Sequence, residues 1–542
     1  MLYNTADKFN LLNSSMKITT KYLILQIFSL LLLSQTVIAS EKSNKPRIII
    51  TADPELDDNN SMIRFLLYSS EFKVEGLIYT SSQFHWKGDG KGTKFMVPGR
   101  EYTKYGLNLC PCTSYRWREG ERFIHEAVEA YEKVYSNLKI HNVAYPTPSY
   151  LKSKVKYGNI EFEGDYSKDT EGSNLIKSVL LDDIPGPVYI TAWGGQSTIA
   201  RALKSIEDEF GHTSNWKQIK KKVTDKIVLL PSGEQDNTYA TYIKPNWPGI
   251  DYRQYKNGPN YGYGAQLVAT TENAPLLTSE WMRTNISSKG PLGSIYRVWG
   301  DGKQMVKNDP FDYFGLDGYS NEALKKMGYI VWMPKQEKGS WLGEGDTGTF
   351  MNIISNGLEA DEKETAGGWG GRPFIPDPAT YIDPFSNDTT KVKALVISED
   401  FLKKQAALKA NEIPYPNFFP AAQNDFAARM QWSITNQFKL ANHAPVVQIK
   451  GQKNISINAG DIIKLQALVK DSDGDDYTIK WWQFKKSGTT PTLHITNEHT
   501  LNATIEVPKD TSSKEIMEVV VEVTDKSETP LTRYQVIHLK LQ

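Results

Sequence analysis

The chain has 542 residues, and its 63 basic and 63 acidic side chains give a formal net charge of zero. This balance argues against a nucleic-acid partner, because proteins that bind nucleic acid carry a basic footprint. The length exceeds one ordinary domain. Aromatic residues make up 11% of the chain. They often stack on sugar rings but also fill cores, so a carbohydrate ligand is one hypothesis among others.

The first 39 residues have the order of a secretory signal peptide. Lys17 and Lys21 precede an apolar run over 22–33, and small residues surround Ala39. The alternative is a membrane anchor, but the apolar run is short for a spanning helix. We therefore expect cleavage after Ala39 and a secreted or periplasmic protein with no membrane partner.

From residue 46 to about residue 400, predicted strands alternate with predicted helices. The strands are 47–51, 74–80, 187–191 and 226–230, and the helices are 59–70, 121–138 and 197–205. This alternation predicts an α/β domain with a mostly parallel sheet that helices cover on both faces. Ligands of such sheets bind beyond the carboxyl ends of the strands.

Four carboxylates follow the first predicted strand within six residues: Asp53, Glu55, Asp57 and Asp58. Crowded carboxylates repel one another and raise one another's pKa unless a cation or hydrogen-bond donors hold them. A hard divalent cation such as Ca²⁺, which prefers oxygen ligands, suits this turn. The alternative is that Asp57 and Asp58 cap the following helix while Asp53 lies in a solvated turn.

The chain has two cysteines, Cys110 and Cys112, separated by one residue. A disulfide between them would close a very small ring and would stabilise the fold little. Two buried thiols are an alternative, and the sequence does not decide between the two states. A zinc site that adds His125 or His141 lacks a recognised ligand spacing and is disfavoured.

The last 100 residues differ from the first domain. Short alternating segments separated by turns predict an immunoglobulin-like β-sandwich over 442–542. The preceding stretch 401–441 contains several prolines and predicts a packed helical connector. The acidic run over 471–475 looks like the start of a calcium loop. It lacks the later glycine and glutamate of an EF-hand, so a polar turn is favoured.

The segment 48–60 resembles the nucleoside hydrolase signature, in which a buried strand runs into an Asp-x-Asp-Pro-Gly-x-Asp-Asp turn. Most of the chain resembles a narrower group. These are secreted bacterial proteins with a nucleoside hydrolase-like domain and a carboxyl-terminal β-sandwich, named after a cellulose-binding protein. Three further blocks carry this likeness: 344–347, 367–372, and 442–445 together with 471–475. The resemblance implies a Rossmann-like core for the first domain.

The resemblance also implies a calcium site. By position, Asp53 would be a metal ligand and the general base, and Asp58 would clamp the ion. The backbone carbonyl of Trp193 and the carboxylate of Asp346 would complete the ligand set. The substrate-binding residues that we expect are Asp57, Glu55, Gln83, Glu344, Trp369 and Arg372.

Two departures from the signature weaken its nucleoside-specific part. Gly345 stands where the family usually has a histidine, and Gln83 stands roughly where an asparagine binds the ribose. The first hypothesis is therefore an exported calcium-dependent glycoside hydrolase that cleaves N- or O-glycosyl bonds in carbohydrate or glycoconjugate. The alternative is a carbohydrate-binding or cellulose-binding protein on a hydrolase-like scaffold. A nucleoside N-ribohydrolase is third. The oligomeric state stays open, with a homodimer as one alternative.

Overall fold

The computed structural model describes residues 45–103, 108–362, 365–374, 413–512 and 516–542. The predicted signal peptide and the first part of the predicted connector lie outside these residues. Among the described helices, none is long and apolar enough to cross a membrane. The described residues from Pro46 onward form one compact unit.

A six-stranded parallel sheet forms the centre of the first domain. Its strands are β1 (Arg47–Ala52), β2 (Lys73–Tyr79), β3 (Val155–Tyr157), β4 (Val188–Ala192), β5 (Ile227–Pro231) and β6 (Asp251–Tyr252). They are arranged in the order β3-β2-β1-β4-β5-β6, and every neighbouring pair is parallel. This is the Rossmann order, which reverses between β1 and β4 and leaves a crevice at their carboxyl ends.

Helices cover both faces of this sheet, as the alternating pattern predicts. The α-helices of the described residues are, in chain order, α1 (Leu56–Tyr68), α2 (Phe123–His141), α3 (Pro148–Lys154), α4 (Glu171–Leu181), α5 (Ser197–Phe210), α6 (Trp216–Lys226), α7 (Lys244–Asn246), α8 (Ser279–Met282), α9 (Gly290–Ile295), α10 (Asn321–Lys326), α11 (Gly348–Met351) and α12 (Phe419–Ile434).

The apolar residues of β1 explain why helices must cover both faces of the sheet. Ile48 and Ile50 pack into the core shared with α1 and α2, whereas Ile49 packs on the opposite side with residues of α4 and α5. Burying each of these side chains stabilises the fold by about 1.5–3 kcal/mol.

A β-sandwich of two four-stranded sheets follows α12. The strands are β9 (Val446–Ile449), β10 (Asn454–Ile457), β11 (Ile462–Lys470), β12 (Tyr477–Phe484), β13 (His494–Thr496), β14 (Asn502–Glu506), β15 (Met517–Asp525) and β16 (Thr532–Leu541). One sheet has the order β10-β16-β15-β12 and the other β13-β14-β11-β9. Two further strands, β7 (Gln254–Lys256) and β8 (Arg372–Phe374), form an antiparallel pair in the first domain.

The sandwich packs closely against the first domain. Along β15, Val519 and Val521 lie inside the sandwich, while Val520 belongs to the core of the first domain. Phe484 and Tyr534 also join that core. The two parts therefore share an apolar core, and the predicted fold class is confirmed.

Three local features refine the sequence-based expectations. Helix α1 begins at Leu56, so Asp57 and Asp58 lie in its first turn. Cys110 and Cys112 are joined by a disulfide bond. The described part of the predicted connector contains α12, which is largely buried against the first domain. The predicted domain boundaries stay predictions.

Candidate functional site

A cavity of about 310 Å³ opens beside the carboxyl ends of β1 and β4, at the crevice that the strand order predicts. Its volume lies at the low end of the range for small-molecule sites. Acidic residues and aromatic residues dominate its lining, which consists of Glu55, Asp57, Asp58, Gln83, Phe84, Glu101, Arg116, Trp193, Ser232, Gln235, Tyr263, Phe311, Phe314, Trp332 and Asp346.

Asp53 lies fully buried directly beyond β1. Its backbone N–H donates to Asp58 Oδ1 at 3.0 Å, and its own Oδ1 accepts the N–H of Glu55 at 2.9 Å. Asp53 Oδ2 is buried and has no hydrogen-bond partner among the described residues. The turn after β1 therefore holds one oxygen of Asp53 in place and leaves the other free to bind a ligand.

Burial dominates the electrostatics of this acidic turn. It raises the pKa of Asp53 to about 7 and that of Asp57 to about 6, and hydrogen bonds to the two carboxylates oppose the shift only in part. Burial also raises the pKa of Asp58, and the neighbouring carboxylates of Asp346 and Asp53 raise it further. The cluster therefore holds protons near neutral pH unless a cation replaces them.

Asp346 comes to the same cluster from far along the chain. Burial and the charge of Asp57 raise its pKa, while hydrogen bonds with Ser232 and Asp58 lower it. Its Oδ2 atom is buried and has no hydrogen-bond partner among the described residues. A Cβ atom at Gly345 would collide with the Asp57 carboxylate. A side chain at position 345 would therefore require the Asp57 carboxylate to move.

Trp193 follows β4, and its carbonyl oxygen accepts a hydrogen bond from Gln235 Nε2 at 2.6 Å. A carbonyl oxygen has two lone pairs, so one stays available for a cation. The indole Nε1 donates to Thr349 at 2.9 Å, which turns the side chain into the core. Gln235 itself lies in the cavity lining and is buried.

The donor set fits a calcium ion. Two groups of side chains at this site have ligand atoms within 4.8 Å of one another: Glu55 with Asp57 and Asp58, and Asp53 with Glu55 and His85; a third such group, Asp471 with Asp473 and Asp475, lies in the sandwich. The first group offers only oxygen atoms, as calcium prefers. Asp346 belongs to neither group, although it is close enough to Asp58 for its charge to raise the pKa of that residue.

Aromatic side chains form one wall of the cavity. The rings of Tyr263 and Phe314 are parallel, with centroids 5.2 Å apart, and Trp332 meets both rings edge-on. The Tyr263 hydroxyl donates to Asp57 Oδ1 at 3.3 Å. An aromatic face beside carboxylates offers both stacking and hydrogen bonding to a polar ring.

Sequence reasoning missed Arg116, the only basic side chain that lines the cavity in the described part of the chain. Its Nε donates to Asp309 Oδ2 at 2.6 Å, and its Nη1 lies 3.5 Å from Glu101. Its charge lowers the pKa of Asp53 and Glu55, in opposition to burial. It comes from an irregular loop, where no periodic pattern marks its position.

Of the six expected substrate-binding residues, Glu55, Asp57 and Gln83 line the cavity. Gln83 Nε2 is buried and has no hydrogen-bond partner among the described residues. Glu344 does not face the cavity, contrary to expectation. It is fully buried and accepts hydrogen bonds from Arg64 and Tyr296, both at 2.5 Å. Its charge is therefore balanced within the core.

Trp369 and Arg372 also lie away from the cavity, contrary to expectation. The Trp369 indole is fully buried and its Nε1 donates to the Tyr534 hydroxyl at 3.4 Å. Arg372 donates to the backbone carbonyls of Lys485 and Lys486 at 3.0 and 2.8 Å. The glycine-rich segment around them thus joins the first domain to the sandwich.

Comparison with known proteins agrees with this architecture. The family model described as "Cellulose-binding Sde182, nucleoside hydrolase-like domain" matches residues 47–373, more than half of the chain. The chain belongs to this family. A second model, "Cellulose-binding protein Sde0182, C-terminal domain", matches residues 462–540. The predicted membership is confirmed.

Among solved structures, a nucleoside hydrolase-related hypothetical protein from Saccharophagus degradans, described as associated with carbohydrate metabolism, matches with a TM-score of 0.63 at 21% identity. The match covers 92% of this chain and 100% of that chain, and it supports the fold alone. Murine CRIg matches at 11% identity over 18% of this chain and 99% of its own, and its TM-score of 0.15 carries no weight. No curated protein matches the chain.

Proposed function

We propose that the protein is an exported calcium-dependent glycoside hydrolase that cleaves a glycosyl bond in a carbohydrate or glycoconjugate. One observation carries the proposal. Asp57, Asp58 and Asp346 line one cavity, Asp53 lies beside them with its backbone N–H bonded to Asp58, and burial raises the pKa of all four carboxyl groups. Positioned carboxylates with perturbed pKa values are the groups that glycosyl hydrolysis needs.

Asp53, Asp58, Asp346 and the Trp193 carbonyl would hold the calcium ion. When bound, the ion supplies a positive charge that orients a water molecule and sugar hydroxyls. The free Oδ2 atoms of Asp53 and Asp346 support this assignment, because buried carboxylate oxygens without donors are stabilised by a cation.

The chain's own residues would divide the remaining tasks. Asp53 would accept a proton from the attacking water, because a carboxylate positioned next to that water is a suitable general base. Asp57, held by the Tyr263 hydroxyl, would accept a hydrogen bond from a sugar hydroxyl. The parallel rings of Tyr263 and Phe314 would offer a stacking surface for the sugar ring.

The test is sugar release from plant and algal glycans and from aryl glycosides, with calcium and with a chelator. Asp53→Asn should reduce the rate at least about 100-fold, since it removes the base. Asp475→Asn, in the sandwich, is the matched control and should retain the wild-type rate. An unchanged rate in Asp53→Asn would refute the mechanism. Release of free base from inosine or uridine would instead indicate a nucleoside hydrolase.

A second candidate function is carbohydrate binding without catalysis. The cellulose-binding description of both matching family models favours it. The shared core means that a chain cut before the sandwich would expose apolar surface, so the full chain should be tested. Retention on insoluble cellulose by both the wild type and Asp53→Asn, with no sugar released by either, would favour this function over hydrolysis.

A further inference from the structure

His85 lies in a rigid turn behind the acidic cluster. Its backbone N–H and carbonyl exchange hydrogen bonds with Ser82, at 3.3 and 2.9 Å. The side chain is fully buried. The backbone of His85 is therefore held in the turn, and its imidazole does not contact bulk solvent.

The hydrogen bonds of the ring define its tautomer. His85 Nδ1 lies 2.8 Å from the carbonyl oxygen of Arg116. A carbonyl only accepts, so Nδ1 carries the hydrogen and the Nε2 of a neutral ring presents a lone pair. Nε2 is buried and has no hydrogen-bond partner among the described residues. Buried polar atoms almost always have a partner, so this nitrogen indicates a ligand.

The imidazole of His85 has two carboxylates close to it. The ligand atoms of His85, Asp53 and Glu55 all lie within 4.8 Å of one another. One nitrogen and two carboxylate groups make a donor set unlike the all-oxygen set of Glu55, Asp57 and Asp58. Imidazole suits zinc and other transition metals, whereas calcium takes oxygen ligands.

We propose that His85 Nε2, with the carboxylates of Asp53 and Glu55, binds a second divalent cation of the zinc class beside the calcium position. This site goes beyond the proposed function, because it does not require that calcium bind or that a sugar be cleaved. Asp53 would then be shared between the two cation positions, and Glu55 would belong to the second position.

The charge of the cluster supports a second cation. Five carboxylates lie together here: Asp53, Glu55, Asp57, Asp58 and Asp346. One calcium ion offsets two of these charges. Arg116 neutralises little of the remaining negative charge, because it also pairs with Asp309 and Glu101. A second divalent cation would balance most of the remaining charge in a site that burial shields from solvent.

The test measures zinc bound to the full chain. Metal-stripped protein is dialysed against Zn²⁺ with excess Ca²⁺, and zinc per chain is determined by elemental analysis. We expect about one zinc ion in the wild type and at least about a tenfold lower occupancy in His85→Asn. The asparagine side chain can still donate to the Arg116 carbonyl while it removes Nε2, so it tests the ligand atom alone.

His499→Asn is the control, because this histidine is exposed on the sandwich, and it should bind zinc like the wild type. Equal zinc in His85→Asn and the wild type, or no zinc in the wild type, overturns the proposal.

If His85→Asn does not fold, X-ray absorption spectroscopy of the wild-type protein with zinc bound decides. Scattering from an imidazole supports the site, and an all-oxygen shell overturns it. Calcium binding, measured separately with Asp346→Asn, reports on the proposed function.

Discussion

Arg64 and Glu344 form an ion pair in which neither side chain is exposed, with 2.5 Å between Nε and Oε2. Arg64 belongs to α1, whose first turn carries Asp57 and Asp58. Glu344 lies two residues before Asp346. The ion pair therefore ties together the two chain segments that supply the acidic cluster, and we assign Glu344 a structural role.

We predict that Glu344→Gln strongly destabilises the protein. It leaves the buried Arg64 charge without its counter-ion, which costs about 3–5 kcal/mol in the free energy of unfolding. Denaturant titration measures this. Asp225→Asn is the control, because it breaks an exposed pair with Lys221 on α6 and should change stability by less than about 0.5 kcal/mol. Similar effects of the two substitutions would contradict the structural role.

Calcium should stabilise the wild type and not Asp346→Asn. At free calcium about 100 times the dissociation constant, binding adds about 2.7 kcal/mol to the free energy of unfolding. Thermal unfolding with calcium and with chelator measures the increment. Asp475→Asn, which alters the acidic turn of the sandwich, should keep the full increment. If instead Asp475→Asn lost it, the calcium site would lie in the sandwich.

Without metal, the stability should fall as the pH rises from about 5 to about 8. In the folded protein the pKa of Asp53 is about 7 and that of Asp57 about 6, above the usual value near 3.9. The folded state thus binds more protons than the unfolded state in this window, and ionisation destabilises it. The calcium increment should accordingly be larger at about pH 8 than at about pH 5.

Asp53→Asn isolates the contribution of Asp53 to this pH dependence. The variant lacks the titrating group, so its metal-free stability should depend less steeply on pH than that of the wild type. The comparison uses denaturant titrations in chelator across the same window. An equal slope in both proteins would show that Asp53 does not titrate there.

The sequence predicted those site residues that directly follow a predicted strand. Asp53, Glu55, Asp57 and Asp58 follow one buried strand, and the alternation of strands and helices places that strand end at a ligand crevice. Gln83 was found in the same way, because it follows β2. Each of these residues lies within a few positions of an element that hydrophobic periodicity identifies.

The sequence could not separate residues that face the cavity from residues that face the core. Glu344 and Asp346 are two positions apart, yet Asp346 joins the cluster while Glu344 pairs with Arg64, some 280 positions away. Arg116 reaches the cavity from an irregular loop and pairs with Asp309. Such long-range pairings depend on the tertiary fold, for which local periodicity carries no signal.

Arg372 provides a direct test of the substrate role that the sequence predicted. Its guanidinium donates to two carbonyls of the sandwich, at Lys485 and Lys486. We expect Arg372→Met to lower the free energy of unfolding by about 1.5–3 kcal/mol, since it removes charged hydrogen bonds. Calcium and sugar binding should be unchanged. Arg283→Met, at an exposed position, is the control. Loss of sugar binding at unchanged stability would restore the substrate role.

The acidic turn of the sandwich has a structural explanation in Asp473. This carboxylate accepts the backbone N–H of His443 at 2.7 Å and lies 3.1 Å from its Nδ1. His443 Nε2 lies 3.0 Å from His141 Nδ1, and His141 Nε2 lies 2.8 Å from the Thr435 carbonyl. The two rings therefore link Asp473 to the Thr435 carbonyl through a continuous chain of hydrogen bonds.

Asp473→Asn removes a carboxylate acceptor from this chain of hydrogen bonds at the junction of the two domains. We expect a loss of about 1.5–3 kcal/mol in the free energy of unfolding, measured by denaturant titration near neutral pH. Asp475→Asn should change it by less than about 0.5 kcal/mol, because its neighbours are acidic and its charge is unfavourable there. A larger loss for Asp475→Asn than for Asp473→Asn would contradict the assignment.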